Sequence, residues 1–224
     1  MTEVGGLRYQ RYHVGNGAEW LMRIGIDDGP PVLFIPPLFE EMNRTRALIV
    51  GIMRALAGQG FGCWLLDLPG TGESERTLEL CGWNDWLDAV AVVADRARSP
   101  QGQLIVASLR GGTLLDQRSD AAHWRFAPVE GSSLLRDFKR SKLVSGDGLA
   151  GYRPSDALTA GLAQATVQDL LPCRIARLTS DPKEADVKYD GPALWRRSEP
   201  ADAPELAALL ASDIEHWALK CGIC

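Results

Sequence analysis

The run Leu104-Ile105-Val106-Ala107-Ser108-Leu109-Arg110-Gly111-Gly112 reads as a buried strand, a sharp turn and a helix start. That local pattern presents a nucleophile to a carbonyl carbon when a Ser, Cys or Asp stands at the tip of the turn. The turn needs small residues two positions before and two positions after the tip, because side chains there collide with neighbouring backbone. Two registers meet this demand. With Ser108 and Gly112 as the small pair the tip is Arg110, and with Ala107 and Gly111 it is Leu109. Neither tip is a nucleophile. Ser108 as the tip would put Val106 and Arg110 at the two crowded positions. The run outlines a nucleophile-presenting scaffold without the side chain that does the usual chemistry.

The elements that must position this turn are strands alternating with helices. Residues 7–14 and 19–26, around Gly15-Asn16-Gly17, have the spacing and turn chemistry of a hairpin. Pro31 to Ile35 and Phe61 to Leu66 are short, wholly apolar runs suited to central parallel strands. Between them Arg44 to Leu56 is amphipathic and ends at Gly58 and Gly60; Trp83, Trp86, Leu87, Val90 and Val93 recur at helical spacing. Trp124 to Val129, Ile175 to Leu178 and Ala193 to Trp195 read as further strands. Pro204 to Leu219 reads as a closing helix with Pro in its first turn. The expected class is α/β, a mostly parallel central sheet with helices on both faces. Residues 1–224 make a single domain in this reading, and 143–172 suffice only for a reduced lid. Ligand sites in such sheets lie beyond the carboxyl ends of the strands, where three loops converge: Pro36 to Asn43, Asp67 to Ser74, and the sharp turn. Asp67-Leu68-Pro69-Gly70-Thr71-Gly72-Glu73-Ser74 is neither a dinucleotide fingerprint, lacking a third Gly that opens a helix, nor a P-loop, lacking the Lys-Ser/Thr that follows.

With 46% hydrophobic and 24% charged residues the chain can bury a sizeable core. A net charge of -5 argues against a nucleic-acid partner, which demands a basic face. The one basic cluster, Arg136 to Lys142, reads as a solvated helix face. The first residues carry no charged n-region or apolar h-region, and no apolar run spans a membrane, so a cytoplasmic protein is expected. Five scattered cysteines fit reduced thiols. The C-x-x-C of Cys221 and Cys224 lacks the second pair that zinc would need. Neither a metal nor a cofactor is expected.

The Asp67–Ser74 loop resembles the D-x-P-G-x-G-x-S loop of α/β-hydrolases. The resemblance extends to the second type of exosortase A system-associated hydrolase, carried by Pro36-Pro37-Leu38-Phe39-Glu40-Glu41-Met42-Asn43, Leu109-Arg110 with Gly112, Ala127-Pro128-Val129 followed by Gly131, Gly151-Tyr152, and Gly191-Pro192-Ala193-Leu194-Trp195. It implies an α/β-hydrolase fold with a small or absent lid, an exopolysaccharide or exosortase setting, and Leu-Arg at the elbow with Arg110 at the tip.

A hydrolytic triad on this fold runs in the chain order Ser, Asp, His. Asp181 is well placed as the acid, but the loop after the last strand reads Arg196-Arg197-Ser198-Glu199-Pro200, without a His. His216 falls deep in the closing helix and reads as a partner for its C-terminal dipole; His13 and His123 precede the expected position. An arginine at a helix N-terminus needs anions to answer it. Arg110 therefore either makes a structural ion pair with Glu40, Glu41, Asp67 or Asp181, or clamps a small anionic, lipid- or sugar-linked ligand. In the second case Leu38, Asn43 and Gly111 join the site, with the Leu38 and Gly111 amides as oxyanion donors. The expectation is a non-catalytic binding protein. The alternative is an atypical ester or thioester hydrolase using Ser108 or Ser74, or water activated by Asp181 or Glu41.

Overall fold

The computed structural model describes residues 6–137 and 152–223. In chain order the strands are β1 (Arg8–Val14), β2 (Gly17–Gly25), β3 (Pro31–Ile35), β4 (Gly62–Leu66), β5 (Ile105–Leu109), β6 (Ala122–Phe126), β7 (Cys173–Leu178) and β8 (Val187–Tyr189). The helices are α1 (Glu40–Gly58), α2 (Trp83–Ala97), α3 (131–137), α4 (Asp156–Gln164) and α5 (Pro204–Lys220). The strands form one sheet in the order β1-β2-β4-β3-β5-β6-β7-β8. β1 with β2 and β2 with β4 are antiparallel, and every pair from β4 to β8 is parallel.

The sequence explains this arrangement. β3, β4 and β5 are buried at every position, as strands covered on both faces must be. One face carries Val32, Phe34, Trp124 and Phe126 against α1 and α5. Helices α1 and α5 meet closely, with a Cβ on Gly51 only 3.1 Å from that of Ala207. The other face carries Leu33, Ile35, Leu66 and Val106 against α2 and α4. Asp85 caps α2 by accepting from the Gly82 amide at 2.7 Å, and Ser155 caps α4 by accepting from the Leu158 amide at 2.9 Å.

Three expectations need correction. Helix α1 begins at Glu40, not near Arg44, because its polar first turn faces the strand ends and breaks the apolar period. The helix start after β5 is only a pair of 3-10 turns, Arg110–Leu114 and Asp116–Arg118. Gly111 and Gly112 disfavour an α-helix there, and β6 follows too soon for a long one. Ala193 to Trp195 is not a strand: a 3-10 turn spans Leu194–Arg196, and the last strand is β8. Short apolar runs do not distinguish the two by pattern alone. The described part of the 143–172 segment, from Tyr152 on, packs its Leu158 and Leu162 into the core beside α2. Residues 143–151 of that segment, residues 138–142 of the basic cluster, residues 1–5 and Cys224 lie outside the described residues.

Candidate functional site

The tip of the turn is Arg110. Its φ is +52°, whereas Leu109 before it is extended at -117°. Ser108 and Gly112 are the small pair. A Cβ on Gly112 would stand 2.5 Å from the Pro36 carbonyl oxygen and 2.7 Å from that of Ile35, so the loop after β3 touches the turn directly. Ser108 is fully buried and donates to Asp116 Oδ2 at 2.8 Å. Leu109 is buried in the core against α1 and α5, so neither alternative tip is used.

The Arg110 guanidinium is held on three sides. Its Nε and Nη2 donate to the two oxygens of Glu41 at 3.1 and 2.9 Å, the bidentate fork that suits a carboxylate. Nη1 reaches the Ala127 carbonyl at 3.4 Å. The Trp195 ring lies 4.7 Å from the guanidinium carbon, within cation–π range. Each partner comes from a different strand end: Glu41 from the first turn of α1 after β3, Ala127 after β6, and Trp195 after β8. Phe39, which turns the chain into α1, and Ala127 also have positive φ, +57° and +49°. Among the described residues these two and Arg110 are the non-glycine residues in that region.

The other candidate carboxylates do not gather round Arg110, because each is held by a different arginine. Glu40 faces Arg44 at 3.6 Å, Asp67 pairs with Arg46 at 2.9 Å, and Asp181 pairs with Arg177 at 2.7 Å. Asp67 also accepts from the Glu73 amide at 3.2 Å, so the Asp67–Ser74 loop wraps round its carboxylate. Burial opposes the charge of Asp181, but the Lys183 amide and Arg177 outweigh it and hold its pKa below the ordinary range. Asn43 donates to the Tyr152 hydroxyl at 3.1 Å, at the rim. Leu38 is buried, with its Cγ 3.0 Å from where a Gly111 Cβ would stand. Ser74 accepts from the Gly70 and Arg76 amides at 2.9 and 3.2 Å.

The histidines lie apart from this site. His13 is on β1 and His123 is buried on β6. His216 is on α5 with Nδ1 2.6 Å from the Ser212 carbonyl oxygen. Trp195, not a His, occupies the segment after the last strand. Among the described residues no group of His, Cys, Asp and Glu side chains is arranged to hold a metal ion, and no helix is long and apolar enough to cross a membrane. The sequence does not mark Trp195 as the cover on Arg110; its place three residues beyond Pro192 in the Gly191-Pro192 turn signal is the available hint. Nothing local marks Ala127.

A hydrolase from Agrobacterium vitis S4 superposes with a TM-score of 0.64 at 16% identity, over 95% of this chain and 99% of that one. Mouse alpha/beta hydrolase domain-containing protein 10 superposes with a TM-score of 0.60 at 14% identity, over 99% and 97%. The chain has the α/β-hydrolase fold. In sequence, the bovine (Bos taurus) mitochondrial palmitoyl-protein thioesterase ABHD10 is 32% identical over 87 residues, which is 38% of this chain and 27% of that relative. No family model matches the chain. In this chain Arg110 stands at the turn after β5, Asp181 after β7 and Trp195 after β8.

Proposed function

We propose that this single-domain α/β-hydrolase-fold protein does no Ser-His-Asp chemistry at its elbow. Instead it binds a small anionic ligand, a carboxylate or phosphate of a lipid- or sugar-linked compound, on Arg110. One observation carries the reading: the strained residues Phe39, Arg110 and Ala127 converge on one guanidinium. Phe39 launches the helix that brings Glu41, and Ala127 supplies the carbonyl. Positive φ costs on the order of 1–3 kcal/mol per non-glycine residue and clusters at ligand sites and switches. An arginine that merely filled space would require none of this. The Leu38 and Gly111 amides, on loops in contact, are the natural further donors to an anion. The setting we propose is cytoplasmic, beside an exosortase or exopolysaccharide system, on the strength of the motifs at Pro36–Asn43 and Gly191–Trp195. A fluorophosphonate probe should leave the protein unlabelled, and anions should stabilise it thermally in the wild type but not in Arg110→Ala. Labelling that depends on a serine, or shifts that survive the substitution, would overturn this reading.

The match to the bovine thioesterase favours a second reading, an ester or thioester hydrolase. It requires Ser108 or Ser74 as nucleophile, or water activated by Asp181 or Glu41. Thioester turnover abolished by one of these substitutions would establish it.

A further inference from the structure

We infer that Glu41 is an internal stand-in for the ligand, and that the elbow site takes an organic carboxylate that displaces Glu41 from Arg110. The inference rests on the anion-binding reading above and names the anion. Three features point to a carboxylate. The edge of the guanidinium that is occupied, Nε with Nη2, is filled by a planar carboxylate in bidentate geometry at 3.1 and 2.9 Å, so the site is already shaped for that group. One face is covered by the Trp195 ring and Nη1 is engaged by the Ala127 carbonyl, so the Glu41 edge is the one that offers a bidentate fork to a ligand. A monoanion replaces Glu41 charge for charge, whereas a phosphate dianion would add charge beside Glu40 and the displaced Glu41.

Displacement is feasible on the same geometry. The Arg110 and Glu41 side chains are 12% and 17% exposed, so the pair reaches solvent. Glu41 lies in the first turn of α1, where the helix dipole favours a carboxylate whether or not it holds Arg110. The open state therefore needs a change of Glu41 rotamer and no movement of the helix. The pair acts as an autoinhibitory contact: the free protein holds Arg110 closed, and apparent affinity is the intrinsic affinity scaled by the fraction of time it is open.

The test is an NMR titration of the full chain with butyrate and, separately, inorganic phosphate, following the Arg110 Nε–H resonance and a global melting curve. Three proteins are compared: wild type, Glu41→Gln and Arg110→Gln. The expected result is butyrate binding about ten-fold tighter in Glu41→Gln than in wild type, as removal of an internal competitor predicts, with the response lost in Arg110→Gln. Equal butyrate affinity in wild type and Glu41→Gln would overturn the displacement. Arg110-dependent binding of phosphate in preference to butyrate would overturn the carboxylate assignment while leaving the anion-binding reading intact. Failure of both anions to bind folded Glu41→Gln would overturn both. Should Glu41→Gln melt well below the wild type, Glu41→Asp, whose shorter side chain weakens the fork, serves as the second variant and should also bind butyrate more tightly than wild type.

Discussion

Arg125 grips Asp116 with both branches of its guanidinium, Nε to Oδ2 and Nη2 to Oδ1, each at 2.9 Å, and both side chains are almost wholly buried. Ser108 donates to the same carboxylate, and His123 Nδ1 lies 3.7 Å from it. This network sits where the two 3-10 turns replace a long helix, and it binds the base of the elbow to β6. Breaking a buried pair by removing one partner leaves an uncompensated charge and costs about 3–5 kcal/mol. Arg125→Met should lose that much in urea unfolding. The double variant Asp116→Asn, Arg125→Met should recover a large part of it, because no charge is then stranded. A double variant no better than the single one would mean that the pair does not act as a unit.

Asp116 also contributes to the acid limit of stability. Burial alone would raise its pKa, but the nearby His123 ring and the bidentate Arg125 outweigh burial and hold it below the ordinary carboxylate range. A depressed carboxylate contributes stability in full above its unfolded value of about 3.9 and loses it as pH falls through the folded value. Stability should therefore fall in acid below about pH 4, and Asp116→Asn should flatten that limb of the curve. An unchanged acid limb in the variant would assign the loss to other carboxylates.

Glu19 has the opposite sign. It is fully buried on β2 beneath the Asp67–Ser74 loop, and burial raises its pKa against the pull of Ser74 and Arg76. Its contribution is fully present below the unfolded value of about 4.3 and is lost as pH rises through the folded value. Glu19→Gln, which cannot ionise, should gain stability relative to wild type as pH rises above that range, measured by thermal melts across pH. A constant difference between the two proteins at every pH would show that Glu19 is not titrating in the fold.

Much of this fold is legible in the chain because burial on both faces writes continuous apolar runs, as at Pro31–Ile35 and Gly62–Leu66, and hairpin turns write Gly-Asn-Gly. The elbow tip is half legible: the steric demand leaves two registers, with Arg110 or Leu109 at the tip, and the resemblance at Leu109-Arg110 favours the one the fold adopts, in which Arg110 takes the positive φ. The partners of Arg110 are not legible in the same way. Glu40, Glu41, Asp67 and Asp181 are equivalent as residue types, and which of them reaches Arg110 depends on where Arg44, Arg46 and Arg177 fall in space. Trp195 reads as a strand residue from sequence because burial, rather than periodicity, is all that a three-residue apolar run records.

Gly112→Ala tests the contact between the elbow and the loop after β3. The added Cβ would meet the Pro36 and Ile35 carbonyl oxygens at 2.5 and 2.7 Å, and both are backbone atoms that cannot swing aside. Overpacking of this kind costs about 1–3 kcal/mol, so a loss in that range is expected in thermal or urea unfolding. The substitution should also push the Pro36–Phe39 segment away from Arg110 and loosen the Glu41 fork, because Phe39 leads directly into α1. In the NMR titration proposed for the elbow, Gly112→Ala should then bind butyrate more tightly than wild type at a temperature where both are folded. Destabilisation without any change in butyrate affinity would mean that the loop is packed against the elbow without controlling Glu41, and that the two strained turns at Phe39 and Arg110 are set independently.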